Sequence, residues 1–117
     1  MTPPFRYTEE LPEAEAYLRL FETTGWNEIY AQPADALGRG LEGSWHVVAA
    51  YEGELLVGVG RTLSDGVQYA VIFDMIVHPS RQGRGIGSEI LRCLLERCDD
   101  AGIRDVLLFA AEGVRGF

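Results

Sequence analysis

The sequence predicts a mixed α+β (α/β) fold: a mixed central sheet made of an antiparallel meander and then a β-α-β crossover, with helices on both faces. Three observations lead there. Ser44 to Tyr51 and Glu54 to Leu63 are β-rich runs joined through Glu52-Gly53, a hairpin signal. Val67 to His78 is an almost unbroken apolar run, the pattern of a central strand covered on both faces. A glycine-rich segment, Arg81 to Gly87, links that strand to an amphipathic helix, and another β-rich run follows, so the fourth and fifth strands are joined by a helical crossover and lie parallel.

The remaining elements follow in order. Phe5 to Thr8 forms an edge strand. Leu11, Ala14, Leu18 and Phe21 recur at steps of three and four, with Pro12 in the first turn and Gly25 just past the end, as in an amphipathic helix. Trp26 to Gln32 reads as a loop, and Pro33 to Leu37 as a short second helix ended by Gly38 and Gly40. Ser64-Asp65-Gly66 turns the chain into the central strand. The long helix, Ile86 to Ala101, places Ile86, Ile90, Leu91, Leu94, Leu95 and Cys98 on one stripe, and Gly102 ends it. Arg104 to Ala110 is the fifth strand. No repeat or linker divides the chain, so residues 1–117 are expected to form one domain.

A chain of 117 residues suffices for one core, and its 47% hydrophobic content is that of a folded protein. No window approaches the roughly 18 apolar residues of a membrane span, and no basic-apolar leader opens the chain, so the expected location is the cytoplasm, with no membrane partner. Cys93 and Cys98 lie about 140° apart around the helix axis at 3.6 residues per turn, so they cannot pair with each other. They read as reduced helix residues, with no metal implied. The formal net charge of −8 argues against nucleic acid as a partner and is compatible with a cationic amine, which an acidic protein concentrates around itself.

Arg81-Gln82-Gly83-Arg84-Gly85-Ile86-Gly87 reads as a pyrophosphate cradle. Glycines at every second position let backbone N–H groups approach a ligand, and the following helix points its unpaired N–H groups and positive dipole end at the same place. A P-loop would need Lys-Ser/Thr after the last glycine, where Ser88-Glu89 stands; a dinucleotide fingerprint would need a glycine at Ser88. The segment instead matches Q/R-x-x-G-x-G/A through Gln82, Gly85 and Gly87, after Val77-His78-Pro79. With its strand, helix and element order, the chain from Phe5 to Phe117 resembles the GCN5-related N-acetyltransferases (GNAT), whose fold is the one expected here.

The resemblance implies acetyl-CoA as cosubstrate and transfer of its acetyl group to a primary amine of a small molecule. It implies that Met75, Ile76 and Val77 lie where the central strand splays from its neighbour, their backbone groups pairing with the pantetheine arm. Gln82, Gly83, Arg84, Gly85, Ile86, Gly87 and Ser88 would contact the pyrophosphate, mainly through main-chain amides, with Arg84 or Arg81 adding charge. Ser88 reads equally as a capping group. Trp26 and Tyr30 match the region that lines the acceptor pocket, or are core. Attack would be direct, in a ternary complex, since neither cysteine sits where an acyl-enzyme nucleophile is needed. The alternative is a non-catalytic acyl-CoA-binding or regulatory domain.

Such an attack needs a base, and Asp74 is the chief candidate. It is the one carboxylate in an apolar strand, where an unpaired charge is costly. Strict alternation would place it on one face with Ile72, Ile76 and His78, roughly 7 Å from Ile76. A structural carboxylate is the other reading. Glu112 is a lesser alternative base. His78 reads as the exposed residue before the motif's proline and His46 as a strand start, neither catalytic; Arg61 and Tyr69 flank the turn into the central strand and face a substrate only in the weakest of these readings. Family members usually continue with a tyrosine that acts as general acid and then a C-terminal hairpin, where this sequence stops at Phe117. The expectation is a domain lacking that hairpin, whose open fifth strand leads either to self-association, as in a homodimer, or to lower stability than a longer form would have.

Overall fold

The computed structural model describes residues 4–109. The chain runs through β1 (Arg6–Thr8), α1 (Ala14–Glu22), α2 (Asn27–Tyr30), α3 (Ala34–Glu42), β2 (His46–Glu52), β3 (Leu55–Ser64), β4 (Tyr69–Val77), α4 (Ile86–Asp100) and β5 (Asp105–Leu108). The strands form one sheet in sequence order, antiparallel from β1 to β4 and parallel between β4 and β5. The meander, the crossover and the helices on both faces are therefore present as expected.

Alternation along the strands divides the apolar side chains between two layers. Val47 and Ala49 face α1 and α3, joining Tyr17, Leu20, Phe21, Leu41, Val59 and Ile76. Val48 and Ala50 face α4, joining Ile72, Met75, Val77, Ile86, Ile90 and Leu94. Ile86, Ile90 and Leu94 are no more than 1% exposed, and burying each contributes about 1.5–3 kcal/mol. Gly58 and Gly60 on β3 let α4 come this close. A Cβ at Gly58 would lie 2.8 Å from Ile86 and 2.9 Å from Ile90, and one at Gly60 would lie 2.6 Å from the Met75 sulfur and 2.7 Å from Ile90. The two missing side chains thus seat the N-terminal half of α4 against the sheet.

Several boundaries differ from the expected ones. The buried stripe of α1 is Tyr17, Leu20 and Phe21, while Leu11 precedes the helix and is 47% exposed; Leu95 on α4 is 43% exposed. The loop after α1 contains the single turn α2. The next helix continues through Gly38 and Gly40 to Glu42, because packing decides what propensity opposes: Gly38 brings α3 against Ala14, which a Cβ there would approach to 3.1 Å. The central strand starts at Tyr69, not Val67, since Asp65 Oδ1 accepts from the amides of Val67, Gln68 and Tyr69 and holds them in the turn. β5 spans Asp105–Leu108, and the Phe109 amide still donates to Ile72 O. Ala110 to Phe117, with Glu112 and the expectations attached to the chain's end, lie outside the described residues.

Candidate functional site

After Val77, β4 passes through a 3-10 turn, Pro79–Arg81, into the glycine segment. Gly83 and Gly85 have φ of 79° and 84°, a left-handed conformation that side chains with a Cβ rarely adopt. A Cβ at either would have nothing within 4 Å among the described residues, which leave the space before both glycines open. Gly85 caps α4 without any side-chain cap bond, and the first intrahelical bond runs from the Glu89 amide to Gly85 O. The amides of Ile86, Gly87 and Ser88 are therefore left without helix partners, beside the positive end of the helix dipole. Ile86 and Gly87 are buried, and the Ile86 side chain packs into the layer under α4.

The two arginines of this segment separate. Arg81 is paired with Glu52 at 2.6 Å and reaches Ser80. Arg84 has no carboxylate partner among the described residues and lies over the Phe5 ring, 5.9 Å from its centroid. Of the two, it is the one without an acidic partner among the described residues. Gln82 Nε2 donates to Val77 O at 3.3 Å, tying the loop back to the strand end.

β5 pairs with β4 only over Tyr69–Ile72. Beyond Ile72 that edge of β4 has no strand partner among the described residues. The His78 amide donates to Val57 O, on the β3 side. Alternation then turns the backbone groups of Ile76, which pairs with Val59, toward β3, and those of Met75 and Val77 toward the open edge. Of the three neighbouring positions expected to present backbone, two do so. Phe109 stacks on Phe73 at 5.1 Å at the end of the described pairing.

At that point β4 carries a bulge. Arg61 pairs with Phe73 and Val59 with Ile76, so two steps on β3 face three on β4. Asp74 takes up the extra residue at φ 53°, a conformation costing about 1–3 kcal/mol that concentrates at functional sites. The bulge corrects the expected face. Ile72 points toward α4, whereas Phe73 and Asp74, consecutive in sequence, both line a cavity on the α1 side, the side of Ile76.

Nor is Asp74 an unpaired charge. Arg61 Nε donates to its Oδ2 at 2.9 Å, while Arg61 Nη1 donates to Gly40 O (2.8 Å) and Ser44 Oγ (3.0 Å). One carboxylate oxygen is thereby anchored to the end of α3. The other, Oδ1, accepts no hydrogen bond among the described residues. The cavity, of about 320 Å³, is also lined by Tyr17, Phe21 and Tyr30. Burial, with the Asp74 carboxylate adding to it, pushes the Tyr17 phenol well above its usual range. Tyr17 therefore stays protonated, a hydrogen-bond donor at any physiological pH.

Of the two aromatic residues expected to line an acceptor pocket, Tyr30 lines this cavity and Trp26 does not. Trp26 packs edge-on against Phe21 at 5.8 Å, behind the cavity wall. Arg61 lines the cavity; Tyr69, expected beside it, is exposed at the start of β4. His78 is a capping residue whose Nδ1 accepts from the Ser80 amide. His46 pairs with Glu9 at 2.6 Å beside a separate cavity next to α4. The cysteines are free, and neither lines the Asp74 cavity. Tyr17, Phe21 and Phe73 went unassigned from the sequence. Tyr17 carried one usable signal, a polar ring in a buried helical stripe; Phe73 carried none, because only the bulge turns it to this side.

A family model described as "Acetyltransferase (GNAT) family" matches residues 6–115. A protein of Prochlorococcus marinus named as an uncharacterized N-acetyltransferase, ycf52-like, is 32% identical over 103 residues, covering 85% of this chain; the chain spans 56% of that relative's length. A solved GNAT family acetyltransferase from Streptococcus pneumoniae superposes with TM-score 0.74 at 28% identity, over 92% of this chain and 75% of its own. One from Brucella melitensis, solved in complex with acetyl-CoA, shares the fold with TM-score 0.69 at 22% identity, over 93% of this chain and 77% of its own.

Proposed function

Because the chain belongs to the acetyltransferase (GNAT) family, we propose that it transfers the acetyl group of acetyl-CoA to a primary amine of a small molecule, by direct attack in a ternary complex. One observation carries this reading. The stretch of β4 from Asp74 to Val77 has a carboxylate over a cavity at one end, the glycine cradle at the other and, between them, a backbone edge with no strand partner among the described residues.

The residues fit the cosubstrate. The amides from Gly83 to Ser88 would hold the pyrophosphate, with Arg84 adding charge, and the Met75 and Val77 backbone groups would pair with the pantetheine arm. Acetyl-CoA, when bound, supplies a thioester whose acyl carbon is open to attack by an uncharged amine. Asp74 Oδ1 would take the amine's proton, directly or through one water, while Arg61 keeps Oδ2 in place. Tyr17 would orient the acceptor as a donor. The absence of both cysteines from the cavity lining supports direct transfer over an acyl-cysteine route.

The test is acetyl-CoA binding and turnover by the folded protein. Acetyl-CoA is expected to raise the melting temperature and, with an amine present, to release free thiol. No thermal shift at millimolar acetyl-CoA would sink the reading, and a shift without thiol release from any amine would leave a non-catalytic acyl-CoA-binding domain. We place the protein in the cytoplasm and propose that it forms a homodimer. The exposed Leu107, Leu108 and Phe109 at β5 support the second. Cell fractionation tests the location, and a monomer in sedimentation at micromolar concentration would remove the dimer.

A further inference from the structure

We propose that Phe73 and Phe109 set the length of the acyl group that the protein transfers. They close the inner end of the acyl-CoA channel, so that an acetyl group is admitted and a butyryl or longer chain is turned away. The inference rests on the transfer reading above, which lays the cosubstrate along β4 from the glycine segment toward Asp74. From Val77 back to Phe73 the strand covers roughly 13 Å, so an arm anchored at the N-terminus of α4 brings its thioester to where the described pairing of β4 with β5 ends. There the Phe109 amide donates to Ile72 O at 3.0 Å. The Phe109 ring stacks on Phe73 with centroids 5.1 Å apart and planes within 14° of each other. Two rings held nearly parallel form a flat, stiff wall at that point.

The other directions open to a longer chain are filled. On the α4 side, Ile72 and Met75 pack with Ile86, Ile90 and Leu94, and all five are no more than 5% exposed. Met75 cannot retreat toward β3, because its sulfur already occupies the room over Gly60, 2.6 Å from where a Cβ would stand. A layer packed this closely resists even one added methylene. On the α1 side lies the cavity that Phe73 shares with Asp74, and an acyl chain extended into it would take the acceptor's place. An acetyl group has no chain to place in any of these directions. Each further methylene must displace a ring, the layer under α4 or the amine. Phe73 borders the acceptor cavity as well, whereas Phe109 does not line it, which makes Phe109 the residue to vary.

The experiment measures thiol release from acetyl-, propionyl-, butyryl- and hexanoyl-CoA, with butylamine, spermidine and a lysine peptide as acceptors. Binding of the same four thioesters is followed by calorimetry. From acetyl to propionyl, kcat/KM is expected to fall by roughly 10-fold, and from acetyl to butyryl by roughly 10²-fold or more. Phe109→Ala, at a position 58% exposed, should raise the ratio of butyryl to acetyl by roughly 10-fold or more. Phe109→Leu, which keeps an apolar side chain at the strand end, should raise it less, and it decides the matter if the alanine variant does not fold. Butyryl-CoA used as well as acetyl-CoA by the parent protein would overturn the inference. So would a ratio unchanged in the variants alongside a lowered melting temperature, which would leave the ring pair as cover for the strand end. If no thioester releases thiol, the transfer reading fails, and the calorimetric series decides the wall by itself: affinity should drop from acetyl to butyryl and recover in the variants, and equal affinities would overturn it. No binding of any thioester would overturn both.

Discussion

Replacing Asp74 by asparagine is expected to lower turnover by roughly 10²-fold or more at neutral pH while leaving acetyl-CoA binding intact. Asparagine is the informative substitution for two reasons. Asp74 sits at φ 53°, where asparagine is about as well tolerated as aspartate and alanine would add backbone strain. The asparagine carbonyl can also still accept from Arg61 Nε, so the tie to Gly40 and Ser44 at the end of α3 survives. What is lost is an oxygen able to take a proton. Activity should then recover as the pH approaches the pKa of the amine itself, because less of the acceptor needs deprotonating. A variant as fast as the parent would remove Asp74 as base. One that keeps its melting temperature but binds acetyl-CoA more weakly would move Asp74 from the acceptor side to the cosubstrate side.

Gly85→Glu is expected to abolish the stabilisation by acetyl-CoA. A ligand at 100 times its Kd adds about 2.7 kcal/mol, on the order of 10 °C in Tm for a domain of this size. The glutamate would enter the open space before Gly85, where a Cβ meets no protein atom within 4 Å, and would put a negative charge beside the unpaired amides. Gly85→Ala separates the two effects, since it adds only the strain of φ 84°, about 1–2 kcal/mol. The alanine variant should melt lower yet still respond to acetyl-CoA, and the glutamate variant should not respond. An undiminished shift in Gly85→Glu would show that the cosubstrate binds elsewhere.

Much of the fold was legible because its signals are local. The hairpin at Glu52-Gly53, the apolar run of the central strand and the stripe of α4 each follow from side-chain period and turn chemistry within one segment. The glycine segment was legible for the same reason: Gly83 and Gly85 before the helix and Gly87 in its first turn form a local pattern that reads as an anion site built from backbone. The limits were equally physical. Gly38 and Gly40 signal a helix end by propensity, but α3 runs through them because Gly38 lets it pack on α1 and Gly40 O receives Arg61.

The sequence by itself determined the family resemblance, the meander with its helical crossover and the glycine segment that opens α4, since each depends on residues close together in the chain. Only the tertiary structure decided what stands opposite that place. The bulge that turns Phe73 and Asp74 to the same face, Arg61 holding the carboxylate from the neighbouring strand, Tyr30 at the cavity with Trp26 behind it, and Gly58 and Gly60 drawing α4 onto the sheet all arise between segments far apart in sequence. Period and propensity say nothing of such contacts, because which side chains meet is set by how whole elements pack.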